Sequence, residues 1–361
     1  VSRPLLVVVA LALGAASPAA ATSLYGAIGY PIVREVAGSS EQPAGAVVGV
    51  DPASLGTPTQ PDGASSSPGG TTLLADVFDP PPPNTADGGW LTGLTVAQGS
   101  LYASTFECSD PSLCFEGPSR LVRVDPQTGT STEVGLILDG PDAVSIEDLA
   151  TDPVTGQIYG ISTSFGSTCF GCLYTIDATS GAASLVGVVP LGQGLPGGLA
   201  FATDGTLYLA TTYPIAGIGS LSNRNPEDLL VLDPSNGQIL SQEDVLLEQQ
   251  FIQVGGGTPY LITSAPLGGL AVAPDGTLLA TGDNGNTVVY ERVMGTVKDP
   301  SGNPVGTPTW VWRVLGDSGE NLTDLALVPE PGTWLLFALG LAGLAWTSSR
   351  GPGRRSSSSA A

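Results

Sequence analysis

Short runs of Leu, Val, Ile, Ala and Tyr alternate along most of this chain with turns rich in Asp, Pro, Gly and Ser. The runs are short and bounded by turn residues, and outside the two ends no helical periodicity stands out, so the pattern predicts strands. One phrase recurs: Gly93-Leu94-Thr95-Val96, Asp148-Leu149-Ala150-Thr151, Gly198-Leu199-Ala200-Phe201, Gly269-Leu270-Ala271-Val272 and Asp324-Leu325-Ala326-Leu327, at spacings of 55, 50, 71 and 55 residues. Most copies lead through a turn into a second strand, as at Leu101-Tyr102, Ile158-Tyr159, Leu207-Tyr208 and Leu278-Leu279. A third strand then runs into an Asp-rich turn (Asp125 to Gly129, Asp177 to Gly181, Asp233 to Gly237), and a fourth follows, as over Thr132 to Leu138 and Ala183 to Val189.

Each part of the phrase has a physical reason. An Asp at the turn start hydrogen-bonds the backbone two residues on, Pro fixes φ, and Gly accepts the positive φ that closes the turn. Four strands per unit at this period predict an all-β fold, a β-propeller of five blades with four antiparallel strands each. Gly-Leu-Ala, small and apolar, suits the innermost strand, where blades converge. The fifth copy has no second strand after it, but an orphan strand, Ser23 to Ala27, stands at the front of the chain. With Val47 to Asp51 and Thr72 to Phe78, it completes a blade built from both ends, which removes free edges. A Greek-key β-sandwich is the runner-up architecture. The Leu-Tyr and Asp-Pro-x-Thr-Gly phrases resemble those of a broad group of secreted bacterial propellers over about residues 90 to 328; that resemblance implies fold, not substrate.

The two ends read differently. Arg3, the apolar stretch Leu5 to Leu13 and Ala19-Ala20-Ala21 have the layout of a secretory signal peptide over residues 1–21. The opening Val is what a GTG start codon read literally would give. At the other end, Pro329-Glu330-Pro331 precedes the apolar run Trp334 to Trp346 and the basic residues Arg350, Arg354 and Arg355. This order resembles the PEP-CTERM sorting signal, and places residues 329–355 in it, 356–361 being a Ser/Ala tail. The resemblance implies a precursor exported by the Sec machinery, anchored briefly in the inner membrane by a transmembrane helix, and cut by an exosortase for release or surface attachment. The propeller domain then spans 22–328.

Charge narrows the partners. All 33 acids lie between Arg3 and Arg350 against 7 bases, a net charge of −26 over that stretch. Such a surface repels nucleic acid and anionic lipid. The chain has no histidine, which excludes Ser-His-Asp and Cys-His catalysis, His-ligated zinc and histidine-ligated haem.

The candidate chemistry is sparse. Cys108 with Cys114 and Cys169 with Cys172 fall in equivalent loops of adjacent blades and are read as two structural disulfides in an oxidising compartment. The Cys-x-x-Cys spacing of the second pair sits between strands, not at the helix N-terminus that thiol redox chemistry needs. Glu147, Asp148 and Asp324 open inner strands and are expected at the channel mouth. Propellers of the lactonase type hold a divalent metal at such positions, and oxygen ligands alone suit Ca2+; the competing reading is solvated or turn-capping acids. Tyr102, Tyr159 and Tyr208 recur by blade and are read as blade-packing residues. The resulting expectation is a non-enzymatic, extracellular binding or structural protein without a cofactor, possible partners being the exosortase and extracellular polysaccharide of a matrix or biofilm. The alternative is a calcium-dependent propeller hydrolase or lactonase.

Overall fold

The structure is a computed structural model that describes residues 22–28, 46–55, 71–77, 90–106, 119–162, 169–191, 194–212, 228–255, 258–262, 267–282, 288–318 and 322–329. Its compact unit is Ser23–Val328. Five four-stranded blades make up a propeller arrangement. The second blade runs Trp90–Ala97, Ser100–Phe106, Ser119–Val124 and Ser131–Leu136. The third runs Ile146–Thr151, Ile158–Ser162, Cys172–Ile176 and Ala182–Val188. Leu195–Phe201, Leu207–Thr212, Asp228–Leu232 and Ile239–Asp244 form the fourth. Leu267–Val272, Leu278–Gly282, Val288–Gly295 and Thr309–Asp317 form the fifth. In the first blade the chain closes on itself. Strand Leu322–Pro329 is hydrogen-bonded to Thr22–Ile28, which continues into Ala46–Val50 and Thr71–Asp76. The expected pairing of the two ends is therefore present.

The Asp-rich turns are built as their sequence requires. The Asp125 carboxylate accepts from Gln127 N–H at 2.8 Å, and its carbonyl accepts from Gly129 N–H at 2.8 Å. Gly129 closes that turn at φ +70°, a region that side-chain-bearing residues avoid. Asp177 and Asp233 repeat the arrangement, accepting from Thr179 and Ser235 at 2.9 Å.

The core is not one mass but a series of wedges between neighbouring blades. Leu91, Leu94 and Leu101 of the second blade pack with Ala27, Val47 and Ala326 of the first. Tyr102 and Leu121 of the second pack with Leu149, Ile158 and Tyr174 of the third. Ile161 and Leu173 meet Leu199, Leu209 and Leu230; Ala200 and Ala210 meet Leu270, Leu278 and Tyr290. Leu279 and Val289 complete the circle against Leu24, Val48 and Leu325 of the first blade. The recurring tyrosines belong to these seams: Tyr159 lies against Phe201 of the next blade with ring centroids 5.2 Å apart, and Tyr208 packs against the wedge shared with the fifth blade. Every seam buries apolar surface that a lone blade would expose, so stability depends on a closed circuit.

Two features are absent from the repeat pattern. Linkers between blades lie along the outer strand of the blade they enter: Leu138 pairs in parallel with Ala182, and Leu247 bridges in parallel to Trp312. Each shields an edge that would otherwise offer unpaired backbone. The long 71-residue interval also holds an added hairpin, Phe251–Gly255 with Thr258–Ile262.

Cys169 and Cys172 are joined in a disulfide, with Cα atoms 5.7 Å apart. Ser162 Oγ donates to the Cys169 carbonyl at 2.6 Å and accepts from Cys172 N–H at 2.9 Å, so the bridge sits on a buried hydroxyl. Cys108 and Cys114 lie outside the described residues, as do the signal peptide and the apolar C-terminal run. Among the described residues no helix is long and apolar enough to cross a membrane. Replacing Cys169 and Cys172 together by Ser is expected to lower unfolding free energy by about 1–3 kcal/mol, because the closed loop is short. Urea titration under non-reducing conditions measures it; an unchanged midpoint would show that the bridge contributes nothing.

Candidate functional site

The residues with unusual chemistry meet where the inner strands converge. The recurring phrase places Gly93, Asp148, Gly198, Gly269 and Asp324 at equivalent positions, each followed by a leucine. Strand pairing shifts register near this point in the second, third, fourth and fifth blades: between Leu91 and Gly93, Ile146 and Asp148, Pro196 and Leu199, and Leu267 and Leu270. A bulge of this kind takes a backbone N–H out of the ladder and leaves it in need of an acceptor.

Two carboxylates supply the acceptors. Asp324 accepts from Leu325 N–H at 2.7 Å, from Leu94 N–H and from Leu270 N–H. Asp148 accepts from Leu149 N–H at 2.7 Å and from Leu199 N–H. The leucine N–H of every inner strand is thereby satisfied, and the two acids fasten strands of all five blades. Asp148 and Asp324 also hydrogen-bond each other, and both are buried.

Two carboxyl groups in contact can share a hydrogen bond only if one is protonated. Burial drives the Asp148 carboxyl well above the usual range, helped by the Asp324 charge and the hydrogen bond to it. Burial also pushes Asp324 up to about 8, against the opposing bonds from Asp148 and the three N–H groups. Asp324 takes more N–H donors, so when the pair holds a single proton, that proton sits on Asp148. Neighbouring inner strands approach closely here. A Cβ on Gly93 would lie 2.5 Å from Leu149 N, and one on Gly198 would lie 2.3 Å from Gly268 O. Backbone meets backbone.

The expected metal ligands are Glu147, Asp148 and Asp324. Asp148 and Asp324 do converge, but inside the ring and not at a solvent-facing mouth. Glu147 is half-exposed and is not part of the pair. Among the described residues no three Asp, Glu, His or Cys side chains are placed to hold a metal ion. The carboxylate oxygens already face N–H donors, whose positive ends oppose a cation. The donor set therefore does not fit Ca2+, and the pair's evident work is to satisfy buried backbone.

A second polar cluster lies on the outer side of the fifth blade. Glu248 bridges Lys298 and Arg313 at 2.8 Å each, and Arg313 also reaches Glu291 at 3.5 Å. Burial pushes the Glu248 carboxyl up, but its bonds to Lys298 and Arg313 outweigh that and hold it below the usual range. Arg292 pairs with Glu243 at 2.6 Å and stacks 4.2 Å from the ring centre of the exposed Trp310. A cavity of about 200 Å³ opens beside Glu248, lined by Leu247, Gln249, Trp312, Arg313 and Val314. Nothing in the repeat signalled this cluster, because its members come from segments far apart in sequence.

Residues 327–350 match the family model described as the PEP-CTERM protein-sorting motif. The motif implies an exported protein processed at the membrane, and it is the recognition signal for an exosortase. No curated protein matches the chain. Among solved structures, the chain is similar to the major allergen Mala s 1 of Malassezia sympodialis (12% identity, 78% of this chain and 71% of that one, TM-score 0.38). It is also similar to a protein of unknown function from Bacteroides caccae (10%, 86% and 99%, TM-score 0.39). A third is the exo-β-1,3-galactanase of Phanerochaete chrysosporium with β-1,3-galactotriose (14%, 80% and 64%, TM-score 0.41).

Proposed function

We propose that this protein is an extracellular or cell-surface propeller, released or attached by exosortase processing, with a non-enzymatic binding or structural role in an exopolysaccharide matrix or biofilm. The observation that carries the reading is the sorting motif at residues 327–350, which overlaps the end of the closing strand. The absence of histidine supports it from the chemical side. So does the axis: the acids that could have served a propeller hydrolase are engaged with Leu94, Leu149, Leu199, Leu270 and Leu325. An active site needs convergent polar groups open to substrate, and this pair is closed in. The test mixes the released protein with exopolysaccharide isolated from its host. Cosedimentation without liberation of reducing ends is expected. Calcium-dependent hydrolysis of a glycan or a lactone would instead establish the hydrolase alternative.

A further inference from the structure

The outer hairpin of the fifth blade is longer than its counterpart in the fourth. Its strands Val288–Gly295 and Thr309–Asp317 have 8 and 9 residues, against 5 and 6 for Asp228–Leu232 and Ile239–Asp244. Toward its far end Met294 faces Trp310 across the strands, and both are exposed. Arg292 lies over the Trp310 ring and is itself held by Glu243 of the fourth blade. The guanidinium occupies one face of the indole, so the exposed part is the other face and the edge. A large aromatic ring is thus fixed in place and left in water.

The cavity beside Glu248 begins two residues further along the same strand, where Trp312, Arg313 and Val314 line it. Two residues of strand rise about 6.6 Å, comparable to one residue of a glycan chain. At about 200 Å³ the cavity is smaller than the roughly 300–1,000 Å³ of a pocket that engulfs its ligand. It suits one unit of a polymer lying across the surface. Glu248 fixes Lys298 and Arg313, whose side chains stay 40% and 47% exposed and carry more N–H donors than their ion pairs use.

Charge selects the occupant. Between Arg3 and Arg350 there are 7 bases, and three of them, Arg292, Lys298 and Arg313, meet here. Each is paired with a glutamate, from the set Glu243, Glu248 and Glu291, so the pairs cancel on an otherwise acidic protein. A polyanion would be repelled by the body and would find no excess of positive charge on arrival. A second copy of the chain brings the same acidic surface. A neutral, hydroxyl-rich chain meets neither obstacle. Its ring C–H groups, made positive by the oxygens beside them, match the negative face of an indole. Its hydroxyls both donate to and accept from the ion-paired side chains.

We propose that Trp310, steadied by Arg292, and the cavity at Glu248 and Arg313 form a docking site for a neutral polysaccharide, with one sugar ring on the indole and the next at the cavity. The inference rests on the matrix-binding reading above and gives it a place and a ligand class.

The test separates the host's exopolysaccharide by anion exchange into neutral and acidic fractions and measures binding of the released protein to each. Binding to the neutral fraction is expected, about tenfold weaker for Trp310→Ala and partly kept by Trp310→Phe. The neutral fraction should also shield the wild type's tryptophan fluorescence from acrylamide. Equal binding by wild type and Trp310→Ala overturns the site and leaves the matrix reading standing. Binding confined to the acidic fraction overturns the ligand class, and a wild-type dimer that Trp310→Ala makes monomeric gives the patch to a second copy instead. No binding to either fraction brings down the matrix reading and the site with it. Should Trp310→Ala unfold, the quenching arm decides: fluorescence equally open to acrylamide with and without the neutral fraction overturns the proposal.

Discussion

The unfolding temperature should fall steadily as pH rises from about 6 to 9, a window in which an ordinary histidine-free protein is nearly silent. The Asp148 and Asp324 carboxyls are both raised in the folded state, Asp324 to about 8, against an ordinary value of 3.8. A raised acid keeps its proton in the fold after the unfolded chain has released it. The stability it contributes is complete below about pH 4 and is lost as pH climbs through the folded value. Each proton retained in this way gives a slope of up to about 1.4 kcal/mol per pH unit. The turn acids Asp51, Asp125, Asp177, Asp204, Asp233, Asp275 and Asp299 act with the opposite sign. Hydrogen bonds hold them below the usual range, so their contribution is present above about pH 4 and lost below it. Maximum stability is thus expected just above pH 4. A decline above pH 6 reports on acids raised in the fold, the buried pair and Asp228. Thermal unfolding followed by circular dichroism from pH 3 to 10 measures the profile. Asp148→Asn, which keeps a donor toward Asp324 but cannot ionise, should flatten the limb between 6 and 9. A wild-type profile that is level or rising in that range would rule out a shared proton.

Legibility in the sequence followed the range over which each feature is determined. Turns such as Asp125 to Gly129 are set by neighbours within five positions, and their chemistry could be read directly. The closing blade was legible too, because an orphan fifth phrase at Asp324 and an orphan strand at Leu24 demand each other. Asp148 and Asp324 stand out as the acidic versions of a phrase otherwise headed by glycine. What they do was not legible, since it depends on inner-strand bulges and on how close the blades come. A carboxylate facing a wide mouth invites a cation; the same carboxylate among freed N–H groups is already satisfied. The hairpin at Phe251–Gly255 and Thr258–Ile262 was hinted at by the 71-residue interval but carries no repeat phrase. The cluster at Glu243, Glu248, Arg292, Trp310 and Arg313 left no trace, because ion pairs across long separations have no period.

Gly198→Ala should destabilise the ring by more than about 4 kcal/mol, beyond the usual range for a single methyl group. The added Cβ would stand 2.3 Å from Gly268 O, 2.5 Å from Leu270 N and 2.6 Å from Gly269 C. All three are backbone atoms of the fifth blade's inner strand, so no side chain can swing aside. Relief requires the fourth and fifth blades to separate at the axis. That separation would pull Leu199 N–H from Asp148 or Leu270 N–H from Asp324, leaving a buried polar group without its partner, and would thin the wedge where Ala200 and Ala210 meet Leu270 and Leu278. Gly49→Ala provides the matched control. It changes the same residue type in a strand, but its Cβ would meet nothing closer than Thr72 O at 3.8 Å, so a change within about 0.5 kcal/mol is expected. Urea midpoints of the two variants, with the slope checked for constancy, make the comparison. Equal midpoints for Gly198→Ala and Gly49→Ala would mean that the inner strands do not touch, and that the axis has room the acid pair was taken to fill.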